Sequence, residues 1–234
     1  HMKRRDDIDV RSHAGFTLIE LLLGLAILAA VTTTAYMTFS TVIIAWKRSM
    51  TMSENLHHGD FVLEQIVIAL RSAYYPSTGI DERYGFWLED EGEGVGSLDR
   101  ISWVKIGPSL VGRGERFGAG PHRVQLFGET DDETIGLRVR AWGLLEELDD
   151  FDAEEIEPRI LSTYVRGFNV RCRDPEMEED AEEIEWLDEW EETNRIPLSV
   201  ELTVYVEPVD EGREPLEVKR IVDLPVAPLS WPAK

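Results

Sequence analysis

Residues 16–46 read FTLIELLLGLAILAAVTTTAYMTFSTVIIAW, roughly thirty consecutive positions in which Glu20 is the only charged side chain. About twenty such residues cross a bilayer as a helix, since a spanning segment must satisfy its own backbone hydrogen bonds. The run therefore reads as a membrane helix, and whatever else the chain builds must fold outside the lipid. Lys3, Arg4, Arg5 and Arg11 precede it, while Lys47 and Arg48 follow. The positive-inside tendency places the leader side in the cytoplasm, a signal weakened by the two basic residues at the far end. An ordinary secretory signal has a shorter apolar region with small residues after it. Here Ala14 and Gly15 come before it.

Of the 234 residues, 46 are Asp or Glu and 24 are Lys or Arg, for a formal net charge of −22. Residues 1–15 carry four basic and three acidic side chains, so the acidity lies in the part beyond the leader. Such a surface repels phosphate backbones, and nucleic acid is not an expected partner. Apolar residues make up 43% of the chain, enough for a real core. The single cysteine, Cys172, excludes a disulfide-stapled fold. Its place in a β-like run reads as a small buried side chain.

A carboxylate in a membrane helix costs roughly 2.5–3.5 kcal/mol near the bilayer centre and less near an end, so it usually has a partner or a task. Glu20 lies one turn into the run. Taken alone, it could equally favour the helix N-terminus through the dipole, an effect of about 0.3–1 kcal/mol. The junction Gly15-Phe16-Thr17-Leu18-Ile19-Glu20, between a basic leader and an uninterrupted apolar span, resembles the class III signal of type IV pilins and type II secretion pseudopilins. That resemblance implies cleavage after Gly15 by a prepilin peptidase, N-methylation of Phe16, and a filament-assembly role for Glu20, whose carboxylate answers the amino terminus of a neighbouring subunit. It also implies a bacterial inner-membrane protein with a single span and its head in the periplasm.

Beyond the membrane, Met52, Leu56, Gly59, Leu63, Ile66 or Val67, and Leu70 recur every three or four residues, so the helix is expected to continue with one apolar stripe. Tyr75-Pro76 and Ser77-Thr78-Gly79 end it. Short runs rich in β-branched and aromatic residues follow at 100–106, 123–127, 134–142 and 160–172. The clearest strand is 198–206, with Leu198, Val200, Leu202, Val204 and Val206 inward and Ser199, Glu201, Thr203 and Tyr205 outward. Residues 207–215 have loop chemistry, and 216–224 is expected to return antiparallel. The fold class is α+β and pilin-like, a long N-terminal helix packed on antiparallel sheet. Its parts are a leader (1–15), a transmembrane and filament-core helix (16–46), an outer half of that helix (47–75) and a β-rich head (76–234).

Nothing in the head spells out an enzyme. The five histidines form no HExxH, and GxSxG and CxxC are absent. His57 and His58 are neighbours on a helix and point to different faces. The acidic stretches 146–157 and 176–192 lack the spaced ligands and turn glycine of an EF-hand and read as solvated loops. Accordingly, no metal and no cofactor is called for. Trp186 and Trp190, four apart, suit one face of a short helix that anchors the second acidic stretch on the sheet. The Gly-rich stretch 107–121, with Arg113, Arg116 and then Arg123, lacks phosphate-loop spacing and reads as a surface loop.

The last third extends the resemblance. Arg171-Cys172-Arg173-Asp174, the acidic stretch with Trp186 and Trp190, Arg195-Ile196-Pro197-Leu198-Ser199-Val200, and Arg220-Ile221-Val222-Asp223-Leu224-Pro225 follow in an order similar to the GspJ class of type II secretion minor pseudopilins. That class implies a non-enzymatic subunit of the pseudopilus tip, joined to I-class and K-class minor pseudopilins and other pseudopilins, which initiates the fibre that moves folded proteins across the outer membrane. The alternatives are a minor pilin of a type IV pilus and, from another class, a membrane-anchored periplasmic hydrolase or metal-binding protein.

Overall fold

In the computed structural model, the described residues are 15–76, 82–111, 120–131, 134–144, 151–173, 185–191, 194–208, 212 and 214–231. A single helix, α1 (Leu18–Arg71), accounts for 54 of them. The described residues divide into two units at Ser49/Met50.

In the first unit, helix side chains are almost all exposed, and the segment is long and apolar enough to cross a membrane. Its hydroxyls turn inward onto the helix itself. Thr32, Thr33, Thr34, Thr38 and Thr41 each donate to the carbonyl four residues earlier, at 2.8–2.9 Å. That back-bonding satisfies the hydroxyls within the helix itself, as a membrane-crossing segment would require.

In the second unit, Asn55, Gly59, Val62, Leu63, Ile66, Val67, Ala69 and Leu70 form the buried face of α1. The expected stripe is present from Gly59 onward, but Met52 is 43% exposed and Leu56 only half-buried. The reason is where the sheet begins: Asn55 Nδ2 donates to the Glu207 carbonyl at 2.9 Å and marks the rim of the core. At Gly59 the helix comes so close that a Cβ would lie 2.7 Å from Val206 Cγ2 and 3.2 Å from Val218 Cγ2. Only glycine permits that approach.

Two antiparallel meanders lie against this face. The larger has five strands in sequential order: β1 (Trp87–Glu89), β2 (Arg100–Lys105), β3 (His122–Asp131), β4 (Thr134–Gly143) and β5 (Arg159–Ser162). The smaller comprises β6 (Val165–Arg173), β7 (Ser199–Val206) and β8 (Leu216–Asp223). The expected β7–β8 pair is present, with Ser199 opposite Asp223 and Val206 opposite Leu216. A four-residue helix, α2 (Ala227–Ser230), follows.

Three expectations change. The run 160–172 is two strands in different sheets, broken at a bend where Tyr164 N–H donates to Ser162 Oγ at 3.1 Å. Ser199, Glu201 and Thr203 are buried although they point away from the core, because β7 is the central strand and its neighbours close over it. Glu201 accepts from Arg171 Nε at 2.9 Å and has Lys219 Nζ at 3.5 Å. Finally, Trp186 and Trp190 are not on a helix. Residues 185–191 are a strap: Leu187 exchanges backbone hydrogen bonds with Cys172 of β6, and Trp190 does so with Leu88 of β1. The anchoring role holds, since Trp190 is 4% exposed and its Nε1 donates to the Arg195 carbonyl at 3.3 Å.

The sheets also meet at Asp99, just before β2. Its carboxylate is buried and accepts from Val170 N–H (2.6 Å), Ser97 Oγ (2.6 Å) and Glu91 N–H (3.2 Å). Phe168 and Leu98 complete the join as an isolated parallel bridge. Burial pushes the Asp99 carboxyl above its usual pKa, opposed by the hydrogen bonds it accepts.

Candidate processing and assembly site

Gly15, Phe16 and Thr17 precede the first turn of α1. Phe16 is 83% exposed. Around Gly15 a Cβ would meet nothing within 4 Å, and its φ is not positive. No packing or backbone constraint in the structure demands glycine there.

The start of the helix is a reciprocal cap. Thr17 C=O accepts the first helical bond, from Leu21 N–H at 3.2 Å. Thr17 N–H and Oγ1 both donate to Glu20 Oε2, at 3.0 and 2.9 Å, while Glu20 N–H reaches Thr17 Oγ1 at 3.4 Å. This is the Thr-x-x-Glu capping box, in which two otherwise unpaired amides are answered by side chains. Glu20 therefore holds its own helix start through one oxygen. Oε1 accepts no hydrogen bond among the described residues, and the residue lies on an exposed turn. The carboxylate is thus pre-oriented, half-satisfied, and able to answer one further donor. Reading Glu20 as a charge alone misses Thr17; the three-residue spacing from threonine to glutamate is the signal that finds it.

The other residues singled out by sequence do not converge. Arg123 is fully buried, donating to the Arg83 carbonyl at 2.6 Å and the Gly85 carbonyl at 3.2 Å while lying 4.5 Å from the Trp87 ring centre. It pins the start of the larger sheet and is no part of a surface loop. Arg113 and Arg116 lie outside the described residues, as do 146–150 and most of 176–192. Cys172 is buried, and burial raises its thiol well above the usual value, which suppresses the thiolate. His58 stacks on Tyr164 at 4.4 Å, and His122 Nδ1 lies 2.9 Å from the Gly120 carbonyl. Among the described residues no three His, Cys, Asp or Glu side chains are placed to hold a metal ion.

Comparison with known proteins meets this geometry at both ends of the chain. Residues 10–36 match the model of the prokaryotic N-terminal methylation motif. Type II secretion system protein J of Xanthomonas campestris pv. campestris is 25% identical over 191 residues, covering 82% of this chain and 86% of the relative. The protein of the same name from Klebsiella pneumoniae is 24% identical over 216 residues, covering 87% and 94%. The chain therefore carries a prepilin-type methylation motif at the head of its long helix and, through most of its length, is similar to type II secretion system protein J.

Proposed function

We propose that the chain is a J-class minor pseudopilin, a structural subunit of the type II secretion pseudopilus and not an enzyme. The observation that carries this reading is the motif itself. Gly15-Phe16 lies at the mouth of a 54-residue helix whose first part buries nothing and whose last part carries the fold's core. Prepilin peptidase cuts after Gly15 and methylates Phe16. The apolar part of α1 anchors the precursor in the inner membrane as a single span, and the sheets stand in the periplasm. On assembly, Oε1 of Glu20 takes the amino terminus of a neighbouring subunit while Oε2 stays on Thr17. With I-class and K-class partners the subunit forms the tip that initiates the fibre.

Co-purification tests this directly. The full chain, solubilised in detergent, is mixed with the I-class and K-class pseudopilins of the same bacterium, and the mass of the complex is measured. A stoichiometric complex is expected. Folded proteins that do not associate would refute the tip role and move the weight to a type IV minor pilin.

A further inference from the structure

The larger sheet has a second face, turned away from the core. Trp103, Leu126 and Val139 point into the core that α1 completes. The residues that alternate with them form rows across β2, β3 and β4 on the other side: Arg100, Phe127 and Arg138; Ser102, Gln125 and Arg140; Val104, Arg123 and Trp142. Phe127, Val104 and Trp142 are buried there although they lie outside the core cluster. In a chain of net charge −22, this one face collects four arginines.

Their charges are not equally answered. Arg123 donates to main-chain carbonyls, and Arg138 Nε lies 2.8 Å from Glu129. Arg100 has carboxylates only at 3.6 and 3.7 Å, from Glu154 and Glu89, which are 71% and 73% exposed. Arg140 has no ion pair among the described residues. Its Nη1 donates to Gln125 Oε1 at a long 3.4 Å, and its guanidinium lies 4.6 Å from the Phe127 ring centre. Arg100 lies 5.5 Å from the same centre. The Nε atoms of both Arg100 and Arg140 are buried without a hydrogen-bond partner. Two cations gathered on one ring repel each other, and a carboxylate that takes their unused donors relieves that repulsion.

The chain itself shows what suits this face. Phe151 packs on Trp142 with ring centres 5.5 Å apart, and Glu154 faces Arg100, so an acidic segment with an aromatic side chain already reaches from β4 to β2. It leaves Arg140 unanswered. A membrane of anionic lipid would press its phosphates on Glu89, Glu129 and Glu154 as well, whereas a peptide can set a single acidic side chain between them. A second copy carries the same large negative charge, and its overall field opposes approach. Arginine and aromatic side chains are the usual anchors of protein interfaces.

We propose that the outer face of the larger sheet is a docking surface for an acidic segment of a different protein, with Arg140 as its anchor, Arg100 beside it and Phe127 beneath both. The surface is separate from α1, and its failure would leave the proposed function untouched.

The full chain in nonionic detergent is titrated with a dye-labelled hexaglutamate peptide at physiological salt. Arg140→Gln should raise Kd at least about fivefold, and Arg140→Lys should fall between, because it keeps the charge and loses the planar fork. Arg220→Gln, which removes an exposed cation of the smaller sheet, should leave Kd unchanged. Unfolding temperatures show whether each variant folds. The Glu89→Gln/Glu154→Gln double variant frees Arg100 and should lower Kd at least about twofold, a gain that misfolding cannot produce. Absence of wild-type binding, or a Kd indifferent to both Arg140→Gln and the double variant, overturns the proposal. Binding to phosphatidylglycerol vesicles, or self-association, that is lost in Arg140→Gln assigns the face to lipid or to a second copy and overturns it as well.

Discussion

Asp99→Ala removes the one side chain that answers backbone or side-chain donors from β6, from residue 91 and from Ser97 at once. Their fates differ. Ser97 Oγ keeps its bond to the Phe168 carbonyl at 3.0 Å, and Glu91 is exposed, so water can replace the lost acceptor. Val170 is fully buried, and its N–H is orphaned. An unsatisfied buried donor costs about 1–3 kcal/mol, from which the relief of a desolvated carboxylate must be subtracted, so a net loss of about 1–2 kcal/mol is expected at neutral pH. Asp99→Asn is no rescue, because its amide must turn donors toward other donors. The pH dependence has a definite sign. A carboxyl whose folded pKa is raised binds its proton more tightly folded than unfolded. Its favourable contribution is complete below the unfolded pKa of 3.8 and disappears as pH rises through the higher folded value. The advantage of wild type over Asp99→Ala should therefore widen as pH falls from 7 toward 4. Urea unfolding of the solubilised full chain, followed by tryptophan fluorescence at several pH values, measures it. A difference under about 0.5 kcal/mol at pH 7, or one that narrows on acidification, refutes the argument.

Three further outcomes are expected. Gly59→Leu gains roughly 1 kcal/mol of helix propensity yet forces side-chain atoms into Val206 and Val218; a net destabilisation of about 1–3 kcal/mol should appear in the same unfolding assay. Lys105 is wholly buried, which lowers its pKa to about 8, while its Nζ donates to the Ile106 and Gly107 carbonyls. Because the unfolded chain binds that proton more tightly, wild type should gain stability over Lys105→Met between pH 8 and 10.5, on the order of 1–2 kcal/mol; a flat difference would contradict it. Glu20→Ala should still be cut after Gly15, as mass determination of the mature chain would reveal, but should enter the assembly poorly; wild-type secretion by that variant would count against the role given to Glu20.

How much of this was legible beforehand depended on whether a signal was local and periodic. The long helix was, because some thirty positions with a single charge and the stripe from Gly59 to Leu70 are each a simple local pattern. So was the β7–β8 hairpin, whose valines and leucines alternate across a loop of turn-forming residues. The break between β5 and β6 was not, because Ser162, Thr163 and Tyr164 have strand-like side chains and only a hydroxyl-to-amide bond marks the bend. Asp99 and Arg123 look like ordinary surface charges in sequence; what buries them are partners tens of residues away. At the start of α1, Gly15, Phe16 and Glu20 stand out in sequence as a motif, whereas the orientation of Glu20 depends on Thr17 and shows only when the first turn is built.

The strap at 185–191 has a wider consequence. Its two backbone exchanges take up part of the outer edge of β1 and part of that of β6, one in each sheet. Strand edges left open are templates for pairing with any extended chain, including another copy of the same protein. β8, at the far side of the smaller sheet, carries Glu217, Lys219, Arg220 and Asp223 in exposed positions, charges that discourage such pairing. In the filament-subunit role proposed above, these covered and charged edges steer the chain away from joining its neighbours sheet to sheet, and polymerisation is left to the helix.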